Sequence, residues 1–406
     1  MKFIHLSDAH LDSPFLGLSF LPFNQLNAIK NSSNESFHKA VTIAIEEEVD
    51  LFLIAGDTFD SVTPSPKSQL FLLQELERLI NNKIQIVMIL GNHDYLSPQK
   101  MLLPQNPYFK LLGANQEVET FKGNTQTGFS YQVHGFSYQK NHIHKDMVEN
   151  FPVKDPNSFN IGLMHAQEER NQVGADVYAP FKLSDLKNLA YDYFALGHIH
   201  KRQNLSQQPL IAYSGNIQGR HINERGPKGI SLVTVDEQTN QASIEFIKTS
   251  KLEWKLLEIK IPHPLKPQEL FELIEMNINQ NISSQNLVGI KLKGSEFLTE
   301  EQEELLREGD ALKEISQKLK FNSALVKVYF QVSESIQLNP ADKDAFQEAQ
   351  KEILTKEKLA ELSKSLVTKG DWINEMVNKQ DFLDEVTELA QVKLGQKLKD
   401  KINETD

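Results

Sequence analysis

The chain has 406 residues, 39% of them hydrophobic, which suffices for a true core and implies roughly two or three domains. Its 43 basic and 55 acidic residues leave a net charge of −12, so it is not a basic nucleic-acid-coating protein, and any nucleic-acid site has to be a local patch. No cysteine occurs, which excludes disulfides and thiolate metal sites, fits a reducing compartment and leaves only N and O ligands for a metal.

The N-terminal stretch MKFIHLSDAHL interrupts its apolar residues with His5, Ser7 and Asp8, so it does not read as a signal peptide, and no run of ~18 apolar residues offers a membrane span. A cytoplasmic protein with no membrane partner is the expectation. Up to about residue 250, short runs rich in β-branched residues alternate with helical segments. Phe3 to Leu6, Leu51 to Ala55, Ile84 to Leu90, Asn160 to Met164 and Tyr193 to Leu196 read as strands. Glu35 to Val49 and Lys67 to Asn82 carry apolar residues at helical spacing. After Pro209, LIAYSG, GISLVTV and ASIEFI read as strands without long helices, an antiparallel part of a sheet sandwich.

Near Trp254 the pattern changes to strand (Trp254 to Ile261), helix (Pro267 to Gln280), strand (Leu287 to Leu292), helix (Thr299 to Leu319) and strand (Ala324 to Gln331). Beyond the helix-start signal Leu338 to Asp342, the remainder reads as amphipathic helix broken at Thr368 to Trp372. From Asp371 on, Trp372, Met376, Phe382, Leu383, Val386, Leu389 and Val392 fall mostly on one apolar side. The expected domains are therefore 1–250, 251–337 and a helical region 338–406.

Five strand ends carry five polar clusters: Asp8-Ala9-His10, Gly56-Asp57-Thr58-Phe59-Asp60, Gly91-Asn92-His93-Asp94, His165, and Gly197-His198-Ile199-His200. Alternation of strand and helix predicts that all five lie at one edge of one sheet, where α/β proteins place their sites. Imidazole, carboxylate and an amide oxygen form sites suited to Mn, Fe, Zn or Mg, and so many ligands call for two ions. A carboxylate between two cations can bridge them and help polarise a phosphoryl group. Asp57 is the expected bridge, with Asp8, His10 and His200 completing one ion's set and Asn92, His165 and His198 the other's.

The ordered blocks resemble the calcineurin-like metallophosphoesterase superfamily. Within it, HLDSPFLGL (His10 to Leu18) and YSGNIQGRHINERGPKG (Tyr213 to Gly229) make the chain similar to SbcD-type double-strand-break nucleases, most of all their YhaO branch. The resemblance covers residues 1 to 250 well, the following small domain moderately and the tail hardly at all. It implies a two-sheet α/β sandwich flanked by helices, a small α/β capping domain and a helical C-terminal tail. It also implies manganese-dependent cleavage of DNA phosphodiesters in double-strand-break repair, with Fe, Mg or Zn as other options for the two divalent ions. DNA and a separate SbcC-like coiled-coil ATPase are the implied partners, the tail helices gripping the latter; a homodimer is left open. No Gly-x-x-x-x-Gly-Lys-Ser/Thr loop is present in the chain, so an ATPase would be another chain.

His93 adjoins the ligand Asn92 yet completes neither ion's set, which leaves it to protonate or stabilise the leaving oxygen, with Asp60 expected to orient it through the far nitrogen. For Asp60 a helix N-cap is the competing reading. Asp94 is assigned a supporting role near the ligands. His5 and His134 lie in strand patterns and read as packed core histidines, His142 and His144 as surface loop, and His221 as facing substrate or fixing its loop. Between Gly197 and Ile230 stand five basic residues, Lys201, Arg202, Arg220, Arg225 and Lys228, against one acidic, Glu224. Such a patch suits a phosphate backbone, with a solvated loop as the alternative. Competing functions are a phosphatase or cyclic-nucleotide phosphodiesterase on the same scaffold, or a largely structural subunit that binds DNA or an ATPase.

Overall fold

The computed structural model describes residues 1–95, 100–169 and 177–331, with four single positions beyond. Apart from those positions, the expectations for the tail, residues 338–406, lie outside the described residues. The chain divides into two compact units, Met1–Trp254 and Lys255–Asp406. Among the described residues no helix is long and apolar enough to cross a membrane.

The first unit holds two six-stranded sheets. One contains β1 (Lys2–Leu6), β2 (Leu51–Ala55), β3 (Gln85–Ile89), β4 (Phe109–Leu111), β11 (Gly229–Val235) and β12 (Ala242–Lys248), in the order β12-β11-β1-β2-β3-β4. The other contains β5 (Glu119–Asn124), β6 (Ser130–Gly135), β7 (Phe159–His165), β8 (Tyr193–Gly197), β9 (Gln203–Gln207) and β10 (Leu210–Tyr213), in the order β5-β6-β7-β8-β10-β9. In the first sheet β1 to β4 run parallel, and in the second β6, β7, β8 and β10 do.

The side-chain alternation of a strand explains why these runs are apolar throughout. On β2, Leu51, Leu53 and Ala55 face the layer between the sheets, where Val133, Ile161, Leu163 and Tyr193 meet them. Phe52 and Ile54 face the opposite way, onto Phe37, Val41, Leu72 and Leu76 of α2 (Ser32–Glu46) and α3 (Pro66–Asn81). Burying each such side chain contributes roughly 1.5–3 kcal/mol. Helix α3 starts where the sequence places a stop and a start together: Ser65 Oγ accepts from the Ser68 N–H at 3.2 Å and Pro66 occupies the first helical position. A third core covers the outer face of the second sheet, with Phe136, Tyr138, Phe181, Tyr191 and Phe194.

The second unit contains a three-stranded sheet, β13 (Glu253–Lys260), β14 (Asn286–Lys293) and β15 (Ala324–Gln331), with the helix Pro267–Asn281 between its first two strands. The single helix expected over Thr299 to Leu319 is two, Glu300–Arg307 and Gly309–Gln317. Glu308 between them is extended (φ −77°, ψ 138°) and Gly309 opens the second helix, a break that the continuous apolar spacing conceals.

Two further expectations are corrected. The polar clusters do not share one sheet: those after β1, β2 and β3 belong to the first sheet, while His165 and the Gly197 to His200 block belong to the second. The strands after Pro209 are not uniformly antiparallel either, because β10 pairs in parallel with β8.

Candidate metal centre

The carboxyl ends of five parallel strands from the two sheets meet, and strong local bending is needed to turn the side chains inward. Asp8, His10, Asp57 and His198 all take positive φ, at 51°, 43°, 50° and 93°. Non-glycine residues avoid this region, at a cost of roughly 1–2 kcal/mol each, and hold it only where the surrounding structure fixes them. Gly91 permits the closest approach: a methyl group there would fall on the Asp57 carboxylate.

Every expected ligand is brought into one constellation. Asp57 Oδ2 lies 3.3 Å from His165 Nε2 and 3.8 Å from His10 Nε2, so one oxygen faces imidazoles of both groups. Its Oδ1 accepts the His93 N–H at 2.9 Å. On one side, Asn92 Oδ1 lies 2.9 Å from His165 Nε2 and 3.1 Å from His198 Nδ1. On the other, His10 Nε2 and His200 Nε2 are 3.0 Å apart, and Asp8 Oδ1 lies 3.8 Å from His200 Nε2. Asp8, His10, Asp57, Asn92 and His165 are buried, and His198 and His200 are half-buried.

These contacts decide whether cations fit. His165 Nδ1–H donates to the Ala55 carbonyl at 2.9 Å, which leaves the lone pair of neutral Nε2 aimed at a carboxylate oxygen and an amide oxygen. His200 Nδ1–H donates to Glu224 Oε1 at 2.5 Å, and His10 Nδ1 lies 3.0 Å from Asp60 Oδ1. His200 Nε2 then points its lone pair at His10 Nε2, 3.0 Å away. Converging lone pairs repel unless positive charge lies among them, and a mixed N/O set of this kind suits divalent cations. Protonation supplies part of that charge in the isolated chain. Burial alone would lower His165, but the Asp57 carboxylate beside it raises its pKa to about 9. Asp57 is pulled well below the usual carboxylate range, because His165 and His10 outweigh the effect of its burial. Burial and then the Arg220 charge lower His10 to about 4, and burial followed by the neighbouring His165 lowers His198 to about 3.

His93 stands at the rim, edge-on to His10 with ring centroids 5.1 Å apart. The expected dyad with Asp60 is corrected: His93 Nδ1–H donates to the backbone carbonyl of Asp60 at 3.2 Å, while the Asp60 carboxylate serves His10 and accepts from Arg220 Nη1. The Asp60 carboxylate thus lies against His10, an expected ligand, rather than bonding His93. Asp94 is a loop brace. Its carboxylate is fully buried and accepts from the N–H groups of Thr58, Phe59 and Gly91 at 2.7, 3.2 and 2.7 Å. Burial and then Asp57 raise it to about 6.

The five basic residues occupy different positions. Lys201 and Arg225 are exposed. Arg202 lies over the Phe246 ring at 5.4 Å and bonds Ser231; Arg220 is tied to Asp60, and Lys228 Nζ donates to the His200 carbonyl at 3.2 Å. Lys201, Arg202, Arg225 and Lys228 line a cleft of about 290 Å³ that His200 borders.

The remaining histidines behave as follows. His5 is buried against Tyr193 Oη (2.8 Å) and the Leu196 carbonyl, and His134 meets Thr120 Oγ1 at 2.8 Å. His221 Nε2 lies 3.2 Å from Glu224 Oε1, a loop-fixing contact. His142 stacks on Tyr178, whose ring lies 4.5 Å from that of His198, so this loop is closer to the ligands than its sequence suggests. Glu224 was missed by sequence reasoning; its one signal is that it is the single acid of a basic stretch.

The family model for calcineurin-like phosphoesterase matches residues 1–202. The chain is 36% identical over 278 residues to the uncharacterized metallophosphoesterase YhaO of Bacillus subtilis, which covers 68% of this chain and 67% of that one. It is 24% identical over 306 residues to the DNA double-strand break repair protein Mre11 of Sulfolobus acidocaldarius (73% and 75% of the two chains). With the protein of the same name from Methanocaldococcus jannaschii it shares 25% over 295 residues (70% and 75%).

Proposed function

The chain belongs to the calcineurin-like metallophosphoesterase family, and we propose that within it the protein is a two-metal phosphodiesterase that cleaves DNA. The observation that carries this reading is the Asp57 carboxylate, one oxygen of which faces His165 at 3.3 Å and His10 at 3.8 Å, between two otherwise separate sets of donors. Asp8, His10, Asp57 and His200 would hold one ion and Asp57, Asn92, His165 and His198 the other, with manganese as the proposed metal. Such a pair supplies charge to polarise a phosphoryl oxygen and to lower the pKa of an attacking water.

The chain's own residues do the rest. With Nδ1 of His165 and of His200 committed to the Ala55 carbonyl and to Glu224, and Nδ1 of His10 3.0 Å from Asp60 Oδ1, the Nε2 atoms would be the ones offered to the ions. His93 is fixed by its backbone bond to Asp57 and its Nδ1–H bond to the Asp60 carbonyl, so its imidazolium form would give the Nε2 proton to the leaving oxygen and keep the one on Nδ1. Lys201 and Arg225 would meet the phosphate backbone beside the site. DNA rather than a phosphomonoester is favoured by the similarity to the Mre11 DNA double-strand break repair proteins, which extends over 306 and 295 residues, and by these exposed cations. An SbcC-like coiled-coil ATPase as a separate partner belongs to the same proposal and rests on the resemblance alone.

The test is release of nucleotides from duplex DNA by the manganese-loaded chain, beside a phosphomonoester and with chelator. Chelator-sensitive DNA cleavage that exceeds monoester hydrolysis is expected; monoester hydrolysis with intact DNA would make the protein a phosphatase and overturn the reading.

A further inference from the structure

The segment after β10, residues 214–228, reaches the ligands of only one of the two proposed ions. Glu224 is buried, and both its oxygens are engaged. Oε1 accepts from His200 Nδ1 at 2.5 Å and lies 3.2 Å from His221 Nε2; Oε2 accepts from Asn216 Nδ2 at 2.8 Å and from the Arg220 N–H at 2.7 Å. A buried carboxylate is costly to keep, and this one is repaid by fixing an imidazole: with Nδ1–H committed, His200 directs Nε2 toward Asp8 and His10.

The same segment grips His200 a second time, through its main chain. The His200 carbonyl accepts from the Asn216 N–H at 3.3 Å and from Lys228 Nζ at 3.2 Å. Gly215, at φ 76°, lets the backbone pass: a methyl there would lie 2.9 Å from that carbonyl oxygen. A third grip runs through Arg220, whose Nη1 donates to Asp60 Oδ1, the oxygen 3.0 Å from His10 Nδ1. Glu224, bonded to the Arg220 backbone, thereby joins the braces of His200 and His10 into one unit.

The other donor set is held differently. His165 is fixed by the Ala55 carbonyl, and the His198 N–H donates to both Asp8 oxygens at 3.1 and 3.2 Å. Among the described residues, no hydrogen bond or ion pair joins a side chain of 214–228 to Asn92, His165 or His198.

We propose that residues 214–228 form a clamp selective for the ion held by Asp8, His10, Asp57 and His200, in which Glu224 positions His200 and Arg220, through Asp60, positions His10. This rests on the two-metal reading. A stretch that sequence alone marks as a phosphate-binding patch is, in its Glu224, Arg220 and Lys228 members, metal-site scaffolding.

The experiment is stepwise manganese titration of the metal-free full chain, read by calorimetry, by elemental analysis after desalting and by electron paramagnetic resonance, for wild type, Glu224→Gln and Arg220→Met. Wild type should take two ions and show a spin-coupled pair. Each variant should weaken one step by ~10–100-fold, leave the other within about twofold, and replace the coupled signal by that of an isolated ion. Metal-free thermal unfolding identifies a variant that fails to fold, and the second variant then decides. Two unchanged steps, or two equally weakened steps, in a folded variant overturn the clamp while the two-metal reading stands. A wild-type chain that takes only one ion overturns that reading and the clamp with it.

Discussion

His165 and His200 are both imidazoles with one nitrogen turned to the centre and the other committed, yet the second nitrogen is held by the main chain in one case and by a carboxylate in the other. His165 donates to the Ala55 carbonyl, a group supplied by β2 itself and present whatever the side chain. His200 donates to Glu224, a residue 24 positions away that must be buried, satisfied by Asn216 and Arg220, and supported by its loop. A ligand braced by a strand costs nothing beyond the fold. One braced by a buried acid depends on several side chains being in place. The difference predicts a centre whose two ions are unequal in their sensitivity to mutation.

The largest effect is expected where the comparison vanishes, at the residue common to both sides. Asp57→Asn keeps size and hydrogen bonding but removes the shared charge, so metal-dependent hydrolysis should fall below detection while the chain still folds; wild-type turnover after metal reconstitution would refute the bridge. Next comes His93, which belongs to neither side. His93→Ala should retain both ions by elemental analysis and lose ~10²–10⁴-fold in turnover, as expected for a general acid. Asp60→Ala should lose less, ~10–100-fold, and should do so through metal retention on the His10 side. If Asp60→Ala kept both ions and lost turnover as His93→Ala does, the carboxylate would act in proton transfer after all.

How far these assignments were readable from the sequence follows the same division. The cluster is readable because its residue types are restricted and each member stands at the end of an apolar run, so Asp8, His10, Asp57, Asn92, His165, His198 and His200, which the structure brings together, could all be named in advance as candidate ligands. The braces are not. Glu224 meets His200 only because β9 and β10 fold back between them, and Asp60 meets His10 because the loops after β1 and β2 pair, with Leu11 N–H donating to the Thr58 carbonyl and Asp60 N–H to the Leu11 carbonyl. Strand pairing has the same long-range character. Alternating runs show that strands exist, but not that β1 to β3 and β7 to β8 lie in separate sheets. The break at Glu308 was hidden for a local reason: apolar positions stay in helical phase across it, and only Gly309 hints at the interruption.

The smallest expected effect concerns the cations that stand outside both braces. Replacing Lys201 and Arg225 together with glutamine should weaken DNA binding regardless of sequence and lower the slope of log affinity against log salt by roughly 2, with metal content unchanged. An unchanged slope would place the DNA path elsewhere on the molecule.

The central claim, two ions joined through Asp57, is tested most directly by an anomalous-difference map of manganese-soaked crystals. The account predicts two peaks roughly 3.5–4 Å apart with the Asp57 carboxylate between them, one beside His10 and His200 and the other beside Asn92 and His165. A single peak, or two peaks that do not share Asp57, would contradict it.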